Sequence, residues 1–307
     1  MSAVEPSVTA VIATRGRGEL LRRAVRSIAA QEYSGPIEIV IVYDQCDIDL
    51  LEDLLPLPGD VVLRTMANTR TPGLAGGRNT GIGAAAGELL AFCDDDDEWT
   101  PTKLREQVAL WARFPGAVGV SAGIEIVTPS ESIVRIPPEV TTRSDFLASR
   151  VGEIHPSSFL FRRADLLELP SGVDEKIPHS YGEDYDLLLR LSEQGHIVSV
   201  ERPLVIVHWD RTSYFAGRWE PMARGLGFLL EKHQDLLLDD ANAARMCGQV
   251  AFAYAAAGAK DSARQWARRA RRRRATEPRV ALTWLALSGL VSPERIVAAL
   301  NRRGRGI

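Results

Sequence analysis

The chain is short of cysteine, of long apolar runs and of net charge, and each shortage removes a class of protein. Its three cysteines, Cys46, Cys93 and Cys247, are odd in number and far apart, so neither a disulfide framework nor a thiolate zinc cluster is expected. No stretch approaches the ~18 unbroken apolar residues of a membrane-spanning helix. The opening MSAVEPSVTAVIATRGRG lacks the basic-then-apolar pattern of a signal peptide, which makes the cytoplasm the expected compartment. No repeat of solenoid period is visible.

What remains is an ordinary globular composition. The 307 residues, 45% hydrophobic and 25% charged, suffice for one large domain or two smaller ones. The net charge of −3 conceals an asymmetry. From Lys260 onward 13 Lys and Arg face three acids, about +10, which leaves 24 basic and 37 acidic residues, −13, in the preceding chain. Body and tail are therefore expected to do different jobs.

The first hundred residues alternate in period. Val8–Ala13, Ile37–Val42, Val61–Arg64 and Leu89–Cys93 read as short buried strands. Glu19–Gln31, with Leu20, Leu21, Ala24, Val25 and Ile28 on one stripe, and Gly77–Ala86 read as helices. That order predicts parallel strands covered by helices, with ligands outside the carboxyl ends of the strands. Asp44 and Asp94–Asp97 both fall just past strand ends. Further on, a helix is expected at Pro101–Phe114, short strands at Val118–Gly123, Ile124–Val127 and Ser157–Phe161, and a helix at Tyr181–Gln194. Strands at Ile197–Val200 and Leu204–His208 precede a wholly helical region from Trp219, where 243–258 and 261–275 pair by turning at Ala257–Gly258–Ala259.

Four consecutive aspartates in AFCDDDDEWTP repel one another and call for positive charge. Hard divalent cations prefer several carboxylate oxygens, and a turn at a strand end lets Asp94 and Asp96 share a face. The plain alternative is a solvated loop that caps the next helix. Upstream, GLAGGRNTGIGAAAGELL is glycine-rich but matches neither common phosphate-loop pattern. Arg78 offers a planar fork suited to phosphate or carboxylate, and Asn79 both donates and accepts. A second acidic cluster stands in PHSYGEDYDLLLRL: Asp186 and Arg190 are i, i+4 partners with a structural role, while Glu183 and Asp184 sit where a helix begins, as caps or as cleft-facing carboxylates.

These blocks together resemble the family-2 glycosyltransferases. VTAVIATRGRGELLRRAVRSIAAQ is similar to that family's opening strand, turn and helix, and IEIVIVYDQCD to its second strand and acidic end. GGRNTG followed by CDDDD resembles its A-R-N-x-G loop and D-x-D motif, with Gly77 in place of the usual alanine. GEDYDLLLRLSEQG with VERPLVIVHW resembles its E-D-x-D-L-x-L-R helix and following strands. The resemblance covers about residues 8–210. It implies a GT-A fold, α/β with a Rossmann-like, mostly parallel sheet flanked by helices, plus a C-terminal helical extension. It divides the chain into a nucleotide-sugar-binding half (1–115), an acceptor-binding and catalytic half (116–218) and the extension (219–307).

By the same resemblance, Thr14, Arg17 and Asp44 form a nucleotide pocket, with Asp44 facing the base and Asp95 the ribose. Asp96 with Asp94 holds Mg2+ or Mn2+ on the diphosphate, and Arg78 and Asn79 lie beside the nucleotide or sugar. Asp184 is the general base, with Glu183 the other choice. Two departures, Arg15-Gly16 for the common Tyr-Asn and Tyr43 for an acid, leave the nucleotide unnamed. His208 is a candidate third metal ligand, and His155 and Trp99 are candidates for the acceptor side; a structural role is the commoner one for such histidines, as is packing under the loop for such a tryptophan. The implied activity is metal-dependent, inverting transfer from a nucleotide-sugar to an acceptor hydroxyl on a glycan, a lipid-linked sugar or a small molecule. The rivals are a nucleotidyltransferase and a non-catalytic nucleotide-sugar-binding module. The arginine-rich tail reads either as a solvated helix with a small docking helix or as a peripheral contact with the inner face of the membrane; the acidic body argues against nucleic acid.

Overall fold

The computed structural model describes residues 5–209 and 217–301; residues 210–216 of the acceptor half and Arg302, Arg303 and Arg305 of the basic tail lie outside them. Two compact units divide the chain. One comprises Met1–Phe146, Arg150–Glu175 and Glu183–Arg211; the other comprises Leu147–Ser149, Lys176–Gly182 and Thr212–Ile307.

The first unit is built on one sheet. Its elements run β1 (Val8–Thr14), α1 (Gly18–Ala29), β2 (Ile37–Tyr43), β3 (Val61–Ala67), α2 (Leu74–Ala84), β4 (Leu89–Phe92), β5 (Glu98–Trp99), α3 (Lys103–Arg113), β6 (Ala117–Val127), β7 (Ser132–Arg135), β8 (Val140–Thr141), α4 (Arg143–Ala148), β9 (Leu160–Arg162), α5 (Arg163–Glu168), α6 (Glu183–Leu191) and β10 (His196–His208). The strand order is β3-β2-β1-β4-β9-β6-β10-β5, with β7 on β6 and β8 on β10. β1, β2, β3 and β4 are parallel neighbours, as are β6 and β10, while β9 runs antiparallel between β4 and β6. Strands β1, β2 and β4 are apolar and buried almost throughout because helices cover both faces of the sheet. Only β3, at the edge, alternates exposed and half-buried residues. Helix α1 turns Leu21, Ala24, Val25 and Ile28 inward, the stripe its spacing predicts.

The observed elements differ from the sequence expectation in several places. The strand expected at Ser157–Phe161 is a single turn at Pro156–Ser158 followed by β9. The strands expected at 118–123 and 124–127 are one strand, β6, because Gly123 does not end it. A Cβ there would stand 2.8 Å from the Arg202 carbonyl oxygen, so the glycine admits a neighbouring backbone instead. The strands expected at 197–200 and 204–208 are likewise one strand, β10, whose register against β6 shifts around Pro203, a residue that cannot donate to the ladder. Helix α2 begins at Leu74, a turn earlier than its small residues suggested.

The second unit is helical: α7 (Trp219–Lys232), α8 (Asp240–Ala256), α9 (Lys260–Arg273), α10 (Pro278–Leu287) and α11 (Pro293–Asn301). Helix α8, rich in alanine and buried nearly all round, packs against α7, α9 and α10. The α8–α9 turn falls where expected, with Gly258 at φ +80°. Asp239 caps α8 by accepting from the Asn242 backbone N–H at 2.7 Å.

Candidate active site

All the site residues lie in the first unit. The apolar β4 pairs with β1 and carries Cys93–Asp97 to the carboxyl edge of the sheet. There the chain closes a turn, with the Asp97 N–H donating to the Asp94 carbonyl at 3.2 Å. The turn sends its four carboxylates in different directions. Asp94 faces Arg78, whose Nη2 donates at 2.9 Å. Asp95 accepts from the Thr14 hydroxyl at 2.6 Å and from Arg17 Nη1 at 3.1 Å. Asp96 accepts from the same Arg17 nitrogen at 2.5 Å. Asp97 points inward, accepting from the Ser157 hydroxyl, with His155 Nδ1 3.5 Å away.

Burial raises the pKa of three of these acids. That of Asp95 reaches about 6, since burial and the neighbouring Asp96 and Asp94 outweigh Thr14 and Arg17. Asp96 shifts up through burial and repulsion from Asp94, and Asp97 well up for the same two reasons. The turn therefore carries more carboxylate than its arginines neutralise.

Arg78 reaches this turn because of how α2 packs. A Cβ on Gly77 would lie 2.9 Å from that of Ala13, and one on Gly81 2.2 Å from Val11 Cγ1. The helix backbone thus lies directly on β1 and sets Arg78 at the sheet edge. Its buried guanidinium bridges Asp94 and, at 2.5 Å, Glu183 of α6, with its Cζ 5.0 Å from the centre of the Phe92 ring. Glu183 is raised above the ordinary carboxylate range, because burial and the nearby Asp184 and Asp94 oppose Arg78. Asp184, buried beside it, pairs with Arg150 Nη2 at 2.5 Å. Burial would raise Asp184, but Arg150 and Arg78 hold it below the usual range. Asp186 is fully buried against Arg190 Nε at 2.8 Å, and Arg190 also donates to the Gly172 carbonyl, the structural role its spacing predicts.

The remaining predicted residues divide. Thr14, Arg17, Asp95 and Asp96 form one bonded group, and Arg78, Asp94 and Glu183 a second, the two adjoining along the chain at Asp94 and Asp95. Asp44 is held in place, accepting from Asn68 Nδ2 at 2.8 Å and the Gly73 N–H at 3.0 Å. Asn79 turns to the 171–175 loop: its amide nitrogen donates to the Val173 carbonyl and to Glu175, and its oxygen accepts from the Val173 N–H. His208 pairs with Glu98 at 2.7 Å. Trp99, 3% exposed, packs beneath the loop with Nε1 donating to the Ser157 carbonyl, so its ring does not stand at an acceptor surface. His155 joins the acidic turn.

Three further residues gave little sign of themselves in sequence. Ser157 accepts from the Asp94 N–H while donating to Asp97, and so fixes both ends of the turn. Asn68 orients Asp44. Glu175 accepts from Arg70, Thr71 and Asn79 and ties the loop before α2 to the loop after α5. The Pro156 turn after His155 hinted at the first; the others stand in loops without periodicity.

The donor set fits a divalent cation. Asp94, Asp97 and His155 bring a ligand atom each within 4.8 Å of one another, the one such group of three among the described residues. Carboxylate oxygens suit Mg2+ and Mn2+, and the repulsion that lifts Asp96 and Asp97 is what a dication relieves. This group differs from the expected Asp94–Asp96–His208 set, with Asp94 common to both.

Comparison with known proteins bears on the family and the fold. Residues 9–169 match the family described as Glycosyl transferase family 2. The succinoglycan biosynthesis protein ExoO of Rhizobium meliloti is 38% identical over 103 residues, 34% of this chain but only 29% of that protein, so the chain spans under a third of that relative in the match. The amylovoran biosynthesis glycosyltransferase AmsB of Erwinia amylovora is 27% identical over 217 residues, 66% of this chain and 69% of that one. Among solved structures, the mannosyltransferase PcManGT from Pyrobaculum calidifontis in complex with GDP-Man and Mn2+ aligns with a TM-score of 0.53 at 19% identity, covering 92% of this chain and 86% of that one. That likeness shows the GT-A fold.

Replacing Arg78 by Met leaves the buried Glu183 and the part-buried Asp94 without their cation. Denaturant unfolding is expected to show a loss of about 3–5 kcal/mol, and a loss under 1 kcal/mol would reject the bridging role. Glu175 gives a pH signature. Hydrogen bonds from Thr71, Asn79 and Arg70 overcome burial and lower its pKa from 4.5 to about 2. Its stabilisation is therefore complete above the unfolded value and lost as pH falls toward the folded one. Thermal melts of Glu175→Gln should lose that part of the wild-type decline between pH 4.5 and 2.

Proposed function

The chain belongs to glycosyl transferase family 2, and from that membership we propose that it moves a sugar from a nucleotide-sugar to an acceptor hydroxyl with inversion at the anomeric carbon, assisted by a divalent cation. The observation that carries the reading is Arg78, one buried cation joining the acidic turn to the acids that open α6. A donor-side turn and an acceptor-side carboxylate are thereby held at a fixed separation.

In this reading residues 1–115 hold the donor, residues 116–218 shape the acceptor site, and residues 219–307 form the extension. Asp44, oriented by Asn68 and the Gly73 N–H, accepts a hydrogen bond from the base, while Thr14 and Arg17 position Asp95 for the ribose. Asp94, with Asp96 or with Asp97 and His155, would hold Mg2+ or Mn2+, which when bound neutralises the diphosphate leaving group. Asp184 takes the proton of the attacking hydroxyl. It is preferred to Glu183 because the arginine on Glu183 is buried, whereas the arginine on Asp184 is 45% exposed. A carboxylate held ionised is a weak base, so the proton moves late, after the bond to phosphate has largely broken. Positioning and charge stabilisation supply most of the rate.

The extension supplies a partner surface. Helix α9 carries seven basic residues and one acid. Arg264, Arg268, Arg271 and Arg272 are exposed along one face, and the last three have no ion-pair partner among the described residues. No helix among the described residues is long and apolar enough to cross a membrane. We assign this face to peripheral contact with anionic lipid at the cytoplasmic side, each arginine contributing about 1 kcal/mol near such a surface.

Asp184→Asn should keep its thermal shift with a nucleoside diphosphate and manganese yet lose ~10²–10⁴ of transfer rate, read as nucleoside diphosphate release. Near-normal turnover removes Asp184 from the role. Arg268→Gln/Arg271→Gln/Arg272→Gln should lower co-sedimentation with phosphatidylglycerol vesicles and leave phosphatidylcholine vesicles unchanged; equal binding by both proteins to the anionic vesicles rejects the assignment.

A further inference from the structure

The ion pair between Arg150 and Asp184 has a function of its own. Asp184 has a side chain only 7% exposed, yet its partner is 45% exposed and comes from the surface segment between α4 and the turn at Pro156. A buried carboxylate that must accept a proton gains nothing from an arginine 2.5 Å away, because the pair favours the ionised form and occupies a carboxylate oxygen. A structural ion pair would be expected to bury its arginine, as Asp186 and Arg190 do in the same helix, where the arginine side chain is 12% exposed. Arg150 is instead a long, flexible side chain reaching into the site from its solvent side. On the inner side, Arg78 and Glu183 already fix the start of α6, so the Arg150 pair is not needed to place Asp184.

We propose that Arg150 is a latch on the general base: it holds Asp184 inactive until an acceptor displaces the guanidinium, and so protects the bound donor from water. The inference rests on the glycosyltransferase reading and on Asp184 as base. The reaction suppressed is donor hydrolysis. A water oxygen bonds to the anomeric carbon, the bond from that carbon to the diphosphate oxygen breaks, the diphosphate leaves with the electron pair, and the water proton passes to Asp184. The products are free sugar and nucleoside diphosphate. With Arg150 in place the guanidinium occupies Oδ2 of Asp184. An acceptor that enters from that side meets Arg150 first and must move it to reach Asp184. Arg150 is thus a positioning residue, acting on the reaction through the carboxylate it covers.

The test uses the full chain with manganese and, in turn, UDP-glucose, UDP-N-acetylglucosamine and GDP-mannose, without acceptor. Thermal shift reads donor binding, and release of nucleoside diphosphate and free sugar reads hydrolysis. Arg150→Ala should hydrolyse the bound donor about tenfold faster than wild type, within the range that a general base commands. Arg150→Lys, which keeps a cation at the end of a flexible stem, should stay near the wild-type rate. Arg150→Ala/Asp184→Asn should return to the wild-type rate or below it. All four proteins should show the same donor-induced shift, which a change of folding would not preserve. Hydrolysis that is unchanged or slower in Arg150→Ala, including the case in which every protein binds donor and none hydrolyses it, overturns the latch. A rise that survives in the double variant does so too. If no nucleotide-sugar shifts any of the proteins, the glycosyltransferase reading fails first, and the latch with it.

Discussion

The site depends on one buried guanidinium. Arg78 is a cation with almost no access to water, and its charge is tolerated only because Asp94 and Glu183 flank it. Each of those acids is in turn tolerable there because of Arg78. Removing either acid leaves part of that buried charge uncompensated, so the aspartate turn and the start of α6 are coupled through Arg78. The glycines of α2 are the geometric condition for this. A helix with ordinary side chains on its inner face would stand off the sheet and leave the arginine short of the turn.

Around that centre the four aspartates behave as individuals. Two are addressed by Arg17, one by Arg78 and one by a serine hydroxyl, so the same run of sequence meets three different partners. Their excess negative charge is what a divalent cation would offset. Asp184 differs from all of them, since its two arginine neighbours keep it ionised in a buried place.

The sheet, the order of its first strands and helices, and the gathering of Thr14, Arg17, Arg78, the aspartate turn and Glu183 were legible because strands and helices write their periods into the chain and because acids at strand ends have few structural uses. The strand breaks expected at Gly123 and near Pro203 were misread for a shared reason. A glycine or proline normally ends a strand, but here one admits a neighbouring backbone and the other sits at a register shift. Asn79 donates to a loop carbonyl and Trp99 to the Ser157 carbonyl, pairings that no periodicity of the chain announces; the packing of Trp99 under the loop follows the commoner of its two sequence readings. Ser157, Asn68, Glu175 and Arg150 were silent because each acts on a group distant in sequence, and loops carry no period that reveals such pairing.

The placement of the turn's partners along the chain has a bearing on how the protein is made. Arg17 and Arg78 both precede Asp94–Asp97, whereas Ser157 and Glu183 follow. During synthesis, which proceeds from the N-terminus, the counter-charges therefore leave the ribosome before the acids they neutralise. The nascent sheet edge never has to gather four carboxylates with no cation in reach. The later segments then add hydroxyl and carboxylate partners to a turn whose repulsion is already partly screened, and chain order itself becomes part of what makes so dense an acidic sequence foldable.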